Sequence, residues 1–289
     1  MHYGIANRSG QPSPGEVVRI LRTAKANGID FIDTARSYED SERIIGELIG
    51  NDDWWTISTK LNGELGDLSD CSPSNVACLL QAARKSLRTS REMLRLGRLP
   101  IVLLHRFDHL GACFGEIWSY LRDEQAHGMI GKLGLSAADP QEALTALDDS
   151  SVEVIQVPAN LADRRLEAAG FFDRARRQGV QIIVRSVFLQ GALLLQRERL
   201  PSHLMPLGQL LDALDDEARR TSATRSELIF AHARSLGQVI LVGCECEAQL
   251  QANIDAWQRS SSVPDPAPAI ADLATNLPRA VIEPWRWPR

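Results

Sequence analysis

Seven apolar runs of strand length recur along the chain, and between them lie segments whose apolar residues fall three and four apart. The runs are "IDFIDTA" (29–35), "WTISTK" (55–60), "PIVLLHR" (100–106), "IGKLGLSA" (130–137), "VIQVPAN" (154–160), "QIIVRSV" (181–187) and "QVILVGC" (238–244). In the intervening "PGEVVRILRTAKANG", Val17, Val18, Leu21 and Ala24 share a helical face and Gly28 ends the pattern. "SNVACLLQAARKSL", "FGEIWSYLRDEQAHG", "DPQEALTAL", "RLEAAGFFDRARRQG", "SELIFAHARSLG" and "EAQLQANIDAW" read as helices in the same way. Continuous apolar strands alternating with helices imply a parallel sheet covered by helices, which leaves an open doubly wound sheet or a (β/α)8 TIM barrel. No G-x-G-x-x-G follows an early strand, so the open sheet lacks its phosphate-binding fingerprint and the barrel is the preferred α/β fold. A barrel also accommodates all 289 residues as one domain, 1–289.

A net charge of -5 argues against a nucleic-acid partner, since phosphate binding wants a basic face. Arg174, Arg176 and Arg177 read as a solvated helix face. Cysteines 71, 78, 113, 244 and 246 are an odd number and fit no disulfide framework. Cys244 and Cys246 form C-x-C without a second Cys or His pair nearby, so no metal site is expected and a reduced, cytoplasmic compartment fits best. No apolar stretch approaches the ~20 residues of a membrane span, and no signal-peptide pattern is present. A small molecule is the expected partner.

Each strand-like run stops at a polar or small residue: Asp33, Lys60, His105, Ser136, Asn160, Arg185 with Ser186, and Gly243. In a parallel barrel these carboxyl ends gather on one face, where active sites lie. Asp33 and Lys60 come from consecutive strands, Tyr38 stands in the loop after Asp33, and His105 ends the next strand. A lysine held by a carboxylate stays charged, a cation beside a phenol favours phenolate, and a histidine can orient a carbonyl oxygen. Singly, these residues read as a turn cap, a half-buried aromatic, a solvated lysine and a satisfied histidine. Together they make a site suited to carbonyl reduction, in which a proton reaches oxygen as a hydride reaches carbon.

The stretch "GIDFIDTARSYEDSE" resembles the aldo-keto reductase signature G-I-x-F-x-D-T-A-x-x-Y-x-x-S-E, and "STK" and "LLHR" match the positions of that family's lysine and histidine. The resemblance runs from about Tyr3 to the closing "VIEPWRWP". It implies a catalytic tetrad of Asp33, Tyr38, Lys60 and His105 and reversible, metal-free reduction of an aldehyde, ketone or sugar-like carbonyl with NAD(H) or NADP(H). By the same resemblance, Ser136 and Gln156 hold the nicotinamide carboxamide, although Ala137 replaces the usual asparagine. Arg185 stands where many members stack a tyrosine. Ser186, Phe188 and Gln190 match the loop that passes the pyrophosphate, while Gly243, Glu245, Gln249 and Asn253 match the adenosine end. A carboxylate at Glu245 would repel a 2'-phosphate and accept from a free 2'-hydroxyl, which leans the choice to NAD(H); the alternative is an acid complementing a helix dipole.

Relatives carry a further strand ahead of the segment that "YGIAN" (3–7) resembles, so the chain as written is expected to lack the first barrel strand, through a start placed downstream of the true one, a truncated paralogue, or a gap filled by a partner or neighbouring copy; open sheet edges would leave it poorly soluble or weak in cofactor binding. Three functions stay open: the oxidoreductase, a truncated non-catalytic barrel that binds nicotinamide cofactor or a protein partner, and an isomerase or lyase with Lys60 as Schiff-base nucleophile. Specificity falls to the loops 61–75, 107–114 and 191–225, and Trp54 and Trp55 read as packing at the opposite end. If Glu245 selects the cofactor, Glu245→Ser gains NADP(H) affinity relative to wild type in a fluorescence titration with both cofactors, whereas a helix-dipole role leaves the ratio of the two affinities unchanged.

Overall fold

The structure, a computed structural model, describes residues 11–50 and 52–288. In chain order it contains helix α1 (Pro14–Ala26), strand β1 (Phe31–Asp33), α2 (Ser41–Ile49), β2 (Thr56–Lys60), α3 (Pro73–Leu94), β3 (Leu99–Leu104), α4 (Glu116–Ala126), β4 (Ile130–Ser136) and α5 (Pro140–Ala146). There follow β5 (Val154–Pro158), α6 (Arg165–Ala168), α7 (Phe171–Gln178), β6 (Gln181–Arg185), α8 (Gly208–Thr221), α9 (Arg225–Ala233), β7 (Val239–Ile240) and α10 (Glu247–Arg259). Six of the seven anticipated runs contain one strand each, and the other, 100–106, holds all of β3 but its first residue, Leu99. Strand order in the sheet is that of the sequence, and every described pairing is parallel. The "YGIAN" segment lies outside the described residues.

The chain divides into two compact units. The first comprises Ile29–Val157 and Arg174–Gln181. Its core is the continuous apolar run of β3 (Leu99, Ile101, Val102, Leu103 and Leu104, all buried) against Leu79, Ala83, Leu87 and Leu94 of α3. Helix α3 starts where Ser72 caps it by accepting from the Asn75 N–H, with Pro73 in the first turn. The approach of α2 to α3 requires Gly46, because a Cβ there would stand 2.0 Å from the Met93 carbonyl oxygen. Gly134 plays the same part between β4 and β5, with the Val154 carbonyl oxygen 1.8 Å from the position of a Cβ.

The second unit comprises the segment ending at Gly28, Pro158–Asp173 and Ile182–Arg289. Two elements here differ from expectation. The stretch read as one helix, "RLEAAGFFDRARRQG", breaks into α6 and α7 because Gly170 takes a left-handed φ of 68°. Residues 191–225, read as a loop, contain the fourteen-residue helix α8, whose Leu210, Leu211 and Leu214 are fully buried. No side chain caps its start and Pro206 precedes it, so the usual N-terminal signal is missing and only the leucine spacing marks it.

Within this unit His232, 1% exposed, is held between two carboxylates: Nδ1 lies 3.2 Å from Asp265 Oδ1 and Nε2 3.3 Å from Glu167 Oε1. Burial opposes charging of the ring, but the paired carboxylates outweigh it and push the pKa up to about 9 from 6.5. The folded-state value is raised, so the stabilisation is fully present below the unfolded value and is lost as pH climbs through the folded one. Denaturant unfolding should therefore show wild type losing on the order of 2–3 kcal/mol between pH 6.5 and pH 9, relative to His232→Gln measured in parallel.

Candidate active site

Four side chains converge in the first unit. The registers that pair Asp33 with Ser58 and Lys60 with Leu103 set the ends of β1, β2 and β3 side by side. Lys60 Nζ donates to Asp33 Oδ2 at 2.6 Å and to the Thr34 carbonyl oxygen at 3.0 Å, and the residue is 1% exposed. For a side chain so enclosed, those acceptors stand in for water. The same nitrogen stands 5.2 Å from the Tyr38 ring centroid, and the His105 ring meets Tyr38 edge to face at 5.9 Å. Tyr38 and His105 are half-buried, within reach of a solute. Asp33, Tyr38, Lys60 and His105 are thus brought together.

Tyr38 rides on a turn that is held at several points. The Thr34 N–H donates to Ser58 O at 2.8 Å, the Arg36 N–H to Lys60 O at 3.1 Å, the Tyr38 N–H to Ala35 O at 3.0 Å, and the Ser41 N–H to Tyr38 O at 2.9 Å. Thr34 Oγ1 donates to Ser41 Oγ at 2.9 Å. Beneath the turn Glu42, 1% exposed, accepts from Thr59 Oγ1 at 2.6 Å and pairs with Arg36. Reading the sequence left Glu42, Thr34 and Ser37 without roles. The closing S-E of the quoted signature was the available signal for Glu42, since a glutamate buried in the first turn of an apolar helix needs a partner. Ser37 Oγ lies 3.0 Å from His105 Nδ1. A hydroxyl donating there puts the ring proton on Nε2, the tautomer that can donate to a carbonyl oxygen.

Ser136 and Gln156 are buried and pair directly in the β4–β5 register. Gln156 Nε2 donates to Asp33 Oδ1 at 2.8 Å, so this glutamine belongs to the tetrad's own hydrogen-bond network, and both carboxylate oxygens of Asp33 are engaged.

The other residues expected at a cofactor lie in the second unit. Arg185 Nη1 donates to Ser186 Oγ at 3.4 Å, and the Ser186 carbonyl accepts from Asn160 Nδ2 at 3.1 Å. Ser186, Leu189 and Gln190 have positive φ (63°, 47° and 56°), as does Gly191 (87°). Within this loop the Leu189 N–H donates to Ser186 O and the Gly191 N–H to Phe188 O, both at 2.9 Å. Phe188 sits edge to face on Phe230 at 5.2 Å, which pins that loop to the unit's core. Gly243 is exposed, with open space where a Cβ would lie. The Glu245 N–H donates to Gln249 Oε1 at 2.8 Å, and Asn253 is half-buried on α10. Helix α10 has no side-chain cap from Cys246; instead the Glu247 N–H donates to Glu16 Oε1 at 2.6 Å, a bond that holds the Glu16 carboxyl below the usual range. Burial, with Cys246, Glu16 and Glu245 nearby, pushes the Cys244 thiol up to about 11. Among the described residues no group of three or more His, Cys, Asp or Glu side chains is arranged to hold a metal ion, and no helix is long and apolar enough to cross a membrane.

A model of the Aldo/keto reductase family matches residues 1–267. The chain belongs to the aldo/keto reductase family. Membership carries the family's general chemistry, nicotinamide-dependent oxidoreduction of small-molecule carbonyls. No curated protein sequence matches the chain significantly. Among solved structures, the aldo-keto reductase AKR11C1 of Bacillus halodurans is similar in its holo form at 21% identity, over 94% of this chain and 91% of that one, with a TM-score of 0.72. Its apo form gives 20%, the same coverages and 0.70. The aldo-keto reductase-like protein PA4992 of Pseudomonas aeruginosa gives 23% over 90% of this chain and 86% of that one, with a TM-score of 0.64. These likenesses are likenesses of fold, the α/β TIM barrel.

Holding the Tyr38 turn by a buried charge has a measurable consequence. Glu42→Gln is expected to lower the unfolding free energy by about 2 kcal/mol in urea, because it strips the charge from a buried pair. The double variant with Arg36→Ala should cost less than the sum of the two single changes, by about 1 kcal/mol.

Proposed function

We propose that this aldo/keto reductase reduces an aldehyde, ketone or sugar-like carbonyl reversibly, with Tyr38 as proton donor and without a metal, in a single domain spanning 1–289. The observation that carries this reading is the enclosed Lys60–Asp33 pair beside Tyr38 and His105. His105 Nε2–H orients the substrate oxygen. Tyr38 gives its proton to that oxygen, and the Lys60 ammonium stabilises the phenolate left behind. Asp33 keeps the ammonium in place, and Gln156 keeps Asp33 in place. The nicotinamide, when bound, supplies or removes the hydride.

The residues present suit a dinucleotide. Ser136 and Gln156 offer polar groups for the carboxamide and Arg185 a planar cation, and Ser186, Phe188 and Gln190 are assigned to the pyrophosphate. Gly243, Glu245, Gln249 and Asn253 are assigned to the adenosine end. The preference is for NAD(H): Glu16 already occupies the α10 N-terminus, and Glu245 and Glu247 add negative charge there, all unfavourable to a 2'-phosphate. A reduced cytoplasmic setting fits five free cysteines.

A Schiff-base role for Lys60 is disfavoured by its pairing, since an imine requires a neutral, accessible amine. Across a panel of aldehydes and sugars with NADH and NADPH, Tyr38→Phe should lower kcat by roughly a hundredfold to ten-thousandfold while cofactor affinity holds. Undiminished turnover, or borohydride trapping of substrate on Lys60, would sink this reading.

A further inference from the structure

Two cysteines that play no part in the proposed chemistry meet in the first unit. Cys71 ends the loop that leaves β2, the strand of Lys60, and Cys113 lies in the loop that leaves β3, the strand before His105. They are 42 residues apart in sequence, yet their Sγ atoms are 2.7 Å apart. Both are free thiols; Cys71 is exposed and Cys113 is 4% exposed. Two sulfurs this close need move only a few tenths of an ångström to reach the ~2.05 Å of a covalent bond. The loops also meet through Cys113 Sγ and the Asp70 carbonyl at 3.5 Å and through Arg106 and Glu64 at 3.6 Å, and the first of them passes His105, since a Cβ on Gly63 would lie 3.8 Å from its Nδ1.

We propose that Cys71 and Cys113 form a reversible disulfide that clamps the β2–α3 loop to the β3–α4 loop beside the catalytic His105. The oxidant is a low-molecular-weight disulfide of the glutathione class. Cys71 is the sulfur that solvent reaches, and as thiolate it attacks one sulfur of that disulfide, forming a mixed disulfide and expelling one thiolate, which takes up a proton. Cys113, deprotonated in its turn, attacks Cys71 Sγ; the new bond forms and the second small thiol leaves. Two protein thiols lose two electrons and two protons, and one small disulfide becomes two thiols. The hydrogen bond with Cys71 is the main cause that pushes the Cys113 thiol up to about 11, with burial and the nearby Asp70 and Asp67 adding to it. Capping Cys71 removes that bond, while burial, Asp70 and Asp67 still oppose ionisation of Cys113, so ring closure is the slower step. The enforced proximity of the two sulfurs favours ring closure over lasting capture of the small thiol. A pair with one sulfur open to solvent and one behind it suits a transient, exchangeable bond rather than a permanent one. Its effect on substrate turnover rests on the oxidoreductase reading; the thiol chemistry does not.

The full-length protein, equilibrated across reduced-to-oxidised glutathione ratios, acid-quenched, alkylated and digested, tests this directly. The expected product is a peptide pair joined through Cys71 and Cys113 that dithiothreitol reverses, while Cys78 remains alkylatable. Amide exchange over 61–72 and 107–115 should slow by about tenfold on oxidation, and not in Cys71→Ser. A glutathione adduct persisting on Cys71 with Cys113 still alkylatable, or both thiols free at the oxidising end, overturns the disulfide. A cross-link that leaves loop exchange unchanged overturns the clamp. Because Cys71 is exposed, its serine variant tests the pair without disturbing the core, and in it Cys113 should remain alkylatable under every ratio.

Discussion

Everything at the candidate site depends on one buried charge being answered. Lys60 points its ammonium into protein, where an unpaired cation would cost several kcal/mol. Asp33 and the Thr34 carbonyl supply the answer, and Gln156 completes Asp33 from the far strand β5. Three strands are therefore committed to one hydrogen-bond network, and the position of the Tyr38 turn follows from it. The Thr34 and Arg36 N–H groups bond to carbonyls of β2, so the turn extends the β1–β2 ladder instead of standing as an independent loop.

Beneath that turn Glu42 repeats the logic. Its carboxylate is as enclosed as Lys60 and is answered by Arg36 from the turn and Thr59 from β2. Two charge pairs, one on each side of the segment 34–41, leave Tyr38 little freedom. Such a held phenol would be preorganised for the proton transfer proposed for it. The second unit shows the same device in His232, charged between Glu167 and Asp265.

Much of the fold was legible in the sequence because it is written in short-range patterns. The strands are continuous apolar runs, and β1 and β2 end at the polar residues Asp33 and Lys60, which answer each other. Helices α1 and α3 announce themselves with Ser-Pro caps. Helix α8 was missed because it starts without such a cap, and the break between α6 and α7 because Gly170 reads as tolerable inside an apolar pattern until its left-handed φ is seen. In each case the local signal was weak and packing decided the outcome.

The candidate residues Asp33, Tyr38, Lys60 and His105, the alternation of elements and the family resemblance could be read from the sequence alone, since each rests on residue type and on local motifs. Which side chains actually meet was decided only by the tertiary structure. Gln156 reaches Asp33 across 123 positions, Cys71 touches Cys113 across 42, and Ser37 finds His105 across 68. No periodicity encodes those contacts. They arise because parallel pairing in a fixed register brings strand ends and their loops side by side, and register is a property of the assembled sheet rather than of any one strand.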